Sequence, residues 1–150
     1  VGHDVVRFFF LMRAPETHMD FDLNLAKEHS NKNPVYYVQY AHARICSIIE
    51  KAQNLKSVVR ETPLEESEKN LIKELMKFPQ LIEGTAMTHA VHQLPTYAMN
   101  LADAFHRFYE HCRVIENDTA DQDRLKIVQA TQIVLKNVLS VIGVSAPEKM

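Results

Sequence analysis

Apolar residues recur along most of this chain at the three-to-four-residue spacing that gathers them on one side of a helix. Val5, Val6, Phe8, Phe9, Phe10, Leu11 and Met12 form a first apolar helix. It is expected to stop before Ala14-Pro15, because a proline disfavours helical backbone at the residue before it. Asp22 is placed to cap a short second helix through Leu23-Asn24-Leu25-Ala26. Capping and solvation account for Asp20 and Asp22 better than acid–base chemistry, since no suitable partner is visible. The longest helix should open at Asn33-Pro34, with the proline accommodated in the first turn, and run to about Leu55. Its Val38, Ala41, Ile45, Ile48, Ile49, Ala52 and Leu55 make a broad stripe for burial. Glu61, Glu65, Glu66 and Glu68, around Pro63, read as a solvated loop and the negative start of a helix carrying Leu71, Leu75 and Met76. Further helices are expected over 78–94, 96–114 and 120–142, with Gly84 weakening the first and Gly143 ending the last.

Composition sharpens this pattern. A chain of 150 residues suits one domain with a substantial core, and three glycines with six prolines are too few for a turn-dense β-sandwich. The expected fold is therefore all-α, a single helical bundle spanning 1–150. A net charge of −2 supplies no overall positive field, so any nucleic-acid contact must come from a local patch. Cys46 and Cys112 form no CxxC pair, which fits a reducing cytoplasm better than a zinc ribbon or disulfide scaffold. No apolar run reaches membrane-spanning length, so no membrane partner is expected. The start at Val1-Gly2-His3-Asp4, without an initiator methionine, reads as a piece of a longer chain.

Catalytic signatures are missing: no Walker loop, no GxGxxG turn, no GxSxG elbow and no HExxH helix. His89 and His92, three apart, could meet His106 or Asp103 at a metal, although isolated surface histidines explain the same letters. The most informative stretch runs from Asn33 to Arg44. At 100° per residue Tyr36, Tyr40 and Arg44 lie on one ridge, with Tyr37 nearer the buried stripe and Lys51 continuing the flank. Such an edge offers aromatic faces to unstacked bases and cations to phosphate, as single-stranded RNA recognition requires. The alternative is that these tyrosines merely pack the bundle. Between Gln39 and Arg60 the cations Arg44, Lys51, Lys56 and Arg60 face only Glu50, a local +3, which leaves −5 on the rest of a chain whose net charge is −2.

The run Asn33-Pro-Val-Tyr-Tyr-Val-Gln-Tyr-Ala-His-Ala-Arg44 resembles the signature that opens the helical anticodon-binding domain of arginyl-tRNA synthetases, class I enzymes. Further pieces agree in order: 4–13, Asp20-Phe-Asp-Leu-Asn-Leu-Ala26, 33–49, 104–114 and the ending Gly143-Val-Ser-Ala-Pro-Glu-Lys-Met150. The resemblance covers nearly the whole chain. It implies a DALR-type helical bundle, with residues 1–32 as the junction to a catalytic domain absent from this sequence. In that family the whole enzyme uses ATP and Mg to attach arginine to its tRNA, through HIGH-like and KMSK-like motifs that do not occur here. The N-terminal domain that reads the tRNA elbow is also absent, so this piece is expected to have no aminoacylation activity alone.

Carried over position by position, the resemblance implies that Tyr37, Tyr40, Arg44, Tyr109 and Met150 surround an opened anticodon loop. Lys51 joins them as a cation on the same flank. The implied partner is an arginine-accepting tRNA. Two rivals remain at this level: a helical protein-interaction module that binds no RNA, and a small metal-dependent enzyme built on the histidines.

Overall fold

A computed structural model describes residues 2–14, 16–18 and 20–150. Pro15, the expected stop of the first helix, lies outside them. Among the described residues seven helices follow one another as α1 (His3–Leu11), α2 (Leu23–Lys27), α3 (Pro34–Ala52), α4 (Glu66–Met76), α5 (Phe78–Thr88), α6 (Gln93–His111) and α7 (Gln122–Val141). The bundle's centre is made by α3, α4, α6 and α7, in which α6 and α7 each pack against the other three. α5 packs outside on α4 and α6, and α1 lies on α3. The expected stripe of α3 is the core face, with Val38, Ala41, Ile45, Ile48 and Ala52 buried. Val38, Ala41, Ile45 and Ile48 share one apolar cluster with Leu101, Phe105 and Phe108 of α6 and Leu135, Val138 and Leu139 of α7.

Local chemistry sets the helix ends. Asp22 Oδ1 accepts from the amides of Asn24 and Leu25 at 2.8 and 3.0 Å, starting α2 as expected. The helix expected over 78–94 ends instead at Thr88, because His89 adopts left-handed backbone with φ 58°. Apolar letters continue past that break, but they belong to a turn and to α6, whose first turn accommodates Pro95. His89 and His92 are thus on no common helix. Gly143 ends α7 with φ +68°, and a Cβ there would also collide with the Arg7 guanidinium.

A small sheet departs from the all-helical expectation. β1 (Lys56–Val58), β2 (Ile115–Glu116) and β3 (Thr119–Asp121) pair in the order β1-β3-β2, β1 parallel and β2 antiparallel to β3. Asn117 and Asp118, both at positive φ, make the two-residue turn between β2 and β3. Asp121 closes the sheet and caps α7, its Oδ1 accepting from the amides of Asp123 and Arg124 at 3.1 Å each. Its other oxygen takes Arg60 Nε at 2.7 Å.

One member of the acidic 61–68 stretch is not solvated. Glu68 is 4% exposed, and its Oε1 accepts from the buried Arg124 Nε at 2.6 Å. Its Oε2 accepts from the Glu65 amide at 2.6 Å, so the same carboxylate secures the start of α4 and ties it to α7. Arg124 Nη1 continues to the Arg113 carbonyl at 3.0 Å. The ion pair thereby anchors the segment joining α6 to β2.

Candidate nucleic-acid interface

The site begins with the cap of α3. Asn33 is buried, and its Oδ1 accepts from the Val35 amide at 3.1 Å while its Nδ2 donates to the Glu28 carbonyl at 3.0 Å. This fixes where the helix starts, and hence the direction of every side chain on the Tyr36–Tyr40–Arg44 ridge. Tyr36 and Tyr40 stack with ring centroids 6.1 Å apart and planes 9° apart. Arg44 places its guanidinium 5.5 Å from the Tyr40 centroid and 4.7 Å from that of Tyr109 on α6. The cation therefore bridges two helices through two aromatic faces.

Beside this bridge lies an open cleft of about 700 Å³. Tyr40, Arg44, Ser47 and Lys51 of α3 form one wall, and Tyr109, Cys112, Arg113 and Ile115 form the other. Lys149 and Met150 of the C-terminal tail complete the rim. Four cations, Arg44, Lys51, Arg113 and Lys149, line this cleft with no carboxylate side chain among the described lining residues. On a chain of net charge −2 this is a concentrated positive site. Tyr40, Arg44 and Tyr109 are half-buried, whereas Lys51 is exposed and Met150 is 55% exposed.

Five of the six residues singled out from the sequence thus meet at one cleft, and Tyr37 does not. Its ring packs on His106 with centroids 4.9 Å apart, and its hydroxyl donates to Asp103 at 3.5 Å. Burial, reinforced by Asp103, pushes its phenol above the ordinary value. Arg113 and Lys149 are the lining cations that sequence reasoning left unassigned. Arg113 lies in the 104–114 piece and Lys149 in the 143–150 ending that carry the resemblance, which is the signal their positions offered. Of the four cations in the charge count, Arg44 and Lys51 line the cleft, whereas Arg60 is held by Asp121 and Lys56 lies in β1, away from the lining.

His106 sits behind Tyr37 and Tyr40, with its Nε2 buried and unpartnered. Burial, together with repulsion from Arg44, lowers its pKa, against the opposing pull of Asp103 and Glu110. As pH falls through about 6.5 the unfolded chain takes up this proton before the folded one, so stability falls until the depressed folded value is passed. We expect His106→Phe to shallow the loss of urea stability between neutral pH and pH ~5. Identical slopes in both proteins would remove His106 as a source of that dependence.

Among the described residues no group of three His, Cys, Asp or Glu side chains is placed to hold a metal ion. Nor is any described helix long and apolar enough to cross a membrane.

Residues 38–150, which include every residue lining the cleft, match the profile of the DALR anticodon binding domain. The chain belongs to that family. The DALR chain is 47% identical over 156 aligned positions to an arginine–tRNA ligase of Salinibacter ruber, covering all of this chain and 28% of the relative. A Campylobacter jejuni structure assigned as an arginyl-tRNA synthetase matches with a TM-score of 0.85 and 29% identity, over 98% of this chain and 33% of that one. The arginyl-tRNA synthetase of Thermus thermophilus gives 0.76 and 28% identity, over 98% of this DALR chain and 26% of that one. The chain therefore spans about 28% of the curated relative's length.

Proposed function

We propose that this chain holds the anticodon loop of an arginine-accepting tRNA for an arginine–tRNA ligase. The cleft carries the reading: aromatic faces and four cations converge at one opening with no carboxylate side chain among the described lining residues. Tyr40 and Tyr109 stack splayed-out bases, Arg44, Lys51, Arg113 and Lys149 offset phosphate charge, and Met150 makes an apolar contact at the rim. Tyr37 acts from behind, supporting His106 and through it Tyr40.

Residues 1–32 join this domain to the catalytic part of the ligase in the same reading. The exposed Val6, Phe10 and Leu23 on α1 and α2 suit such a junction, since exposed apolar side chains gain by being covered. Arginine activation with ATP and Mg belongs to that catalytic part, and the ligase works in the cytoplasm. This chain contributes binding and no bond chemistry.

The test is titration of the chain with two RNA hairpins, one with an arginine anticodon loop and one with a mismatched loop, across a salt series. Affinity should fall as salt rises, while the preference for the arginine loop persists. Equal affinity for the two loops at every salt concentration would sink the reading. Within the same assay Tyr40→Ala should weaken binding about tenfold or more while the melting temperature stays nearly unchanged, because base stacking contributes roughly 1–3 kcal/mol. Unaltered affinity would remove Tyr40 from the contact surface.

A further inference from the structure

The C-terminal tail leaves α7 at Gly143, crosses α3 and ends at the cleft. Val144 is buried, and its amide donates to the Leu139 carbonyl at 2.9 Å. The next residue is caught from two helices. Asp4 Oδ2, on α1, accepts from the Ser145 amide at 3.2 Å and from the Ser145 hydroxyl. Gln39 Nε2, on α3, donates to the same Asp4 oxygen at 2.9 Å and to the Ser145 carbonyl at 3.0 Å. Further along, His42 Nδ1 donates to the Pro147 carbonyl at 2.9 Å. Lys149 and Met150 then reach the cleft rim.

We propose that Asp4 is a positioning residue for the cleft: with Gln39 it fixes Ser145, and so sets where Lys149 and Met150 stand. The inference rests on the RNA-binding reading given above. Its reason is geometric, because extended chain covers about 3.3–3.6 Å per residue, so a tail released at Ser145 would let its end sweep across the cleft mouth. Burial alone would raise the Asp4 pKa, but hydrogen bonds from Ser145 and Gln39, with nearby His3, outweigh it and hold the carboxyl below its usual value. The latch is therefore charged at neutral pH, which strengthens each bond it accepts.

Asp4 lies outside the cleft lining and accepts its hydrogen bonds from Ser145 and Gln39, so its effect on the cleft is expected to pass through the tail. Asp4→Ala should speed hydrogen exchange of the Ser145 amide in the RNA-free chain and weaken binding of the arginine-loop hairpin about three- to tenfold, the scale of ordering a short segment. Ser145→Ala should reproduce the weakening without adding to it in the double variant. In a chain lacking Lys149 and Met150, Asp4→Ala should change affinity no further. An unchanged Ser145 exchange rate, or an equal Asp4→Ala penalty in full and shortened chains, overturns the latch. Should the unmutated chain bind neither hairpin, the RNA reading fails instead, and the exchange measurement still decides whether Asp4 holds the tail.

Discussion

Glu68→Ala is expected to lower stability by about 3–5 kcal/mol, since it leaves the buried Arg124 guanidinium without its carboxylate. At about 2–4 °C per kcal/mol for a domain of this size, melting should fall by roughly 6–20 °C. The value lies at the high end for a point change because two functions end together. Oε1 answers Arg124, and Oε2 holds the amide of Glu65, the N-cap residue of α4. Replacing both partners with apolar residues, as in Glu68→Met with Arg124→Leu, should recover much of the loss, because no charge then stays buried alone. A single variant that melts within a degree or two of the parent would show that water reaches this pair. The same change should also weaken RNA binding, since Arg124 holds the Arg113 carbonyl and Arg113 lines the cleft.

That ion pair marks where sequence reading reaches its limit. The helices of the core were legible because burial imposes a period: Val38, Ala41, Ile45 and Ile48 repeat along α3 and are buried together. Caps were legible for a similar reason, since Asp22 and Asn33 act on amides two or three residues away. Glu68 and Arg124 lie 56 residues apart and obey no period, so the glutamate looked like one more solvated charge. The sheet escaped notice because strands of two and three residues are too short to display alternation. Its Asn117-Asp118 turn was the one local sign.

The cleft divides in the same manner. Tyr40, Arg44 and Lys51 share a flank of one helix, and their common direction toward the cleft follows from 100° per residue. Tyr37 is displaced from Tyr40 by three residues, enough to turn it from the cleft toward His106. Arg113 and Lys149 come from other parts of the chain and are brought in by tertiary structure alone, one through the Arg124 bond and the other through the tail's course over α3.

Arg44→Ala should produce the largest loss of RNA affinity among single cleft variants, about 10- to 100-fold, corresponding to roughly 1–3 kcal/mol. In the proposed reading the guanidinium offsets phosphate charge, and its plane also joins Tyr40 to Tyr109, so its removal frees both rings. Arg44→Lys separates those two roles. Lysine keeps the charge but lacks the flat face, so the salt dependence of binding should be preserved while affinity still drops. If lysine restores full affinity, charge alone matters and the aromatic bridge is dispensable. If alanine costs no more than Tyr40→Ala, the two helices hold their rings in place without the cation, and the cleft's geometry must come from backbone packing.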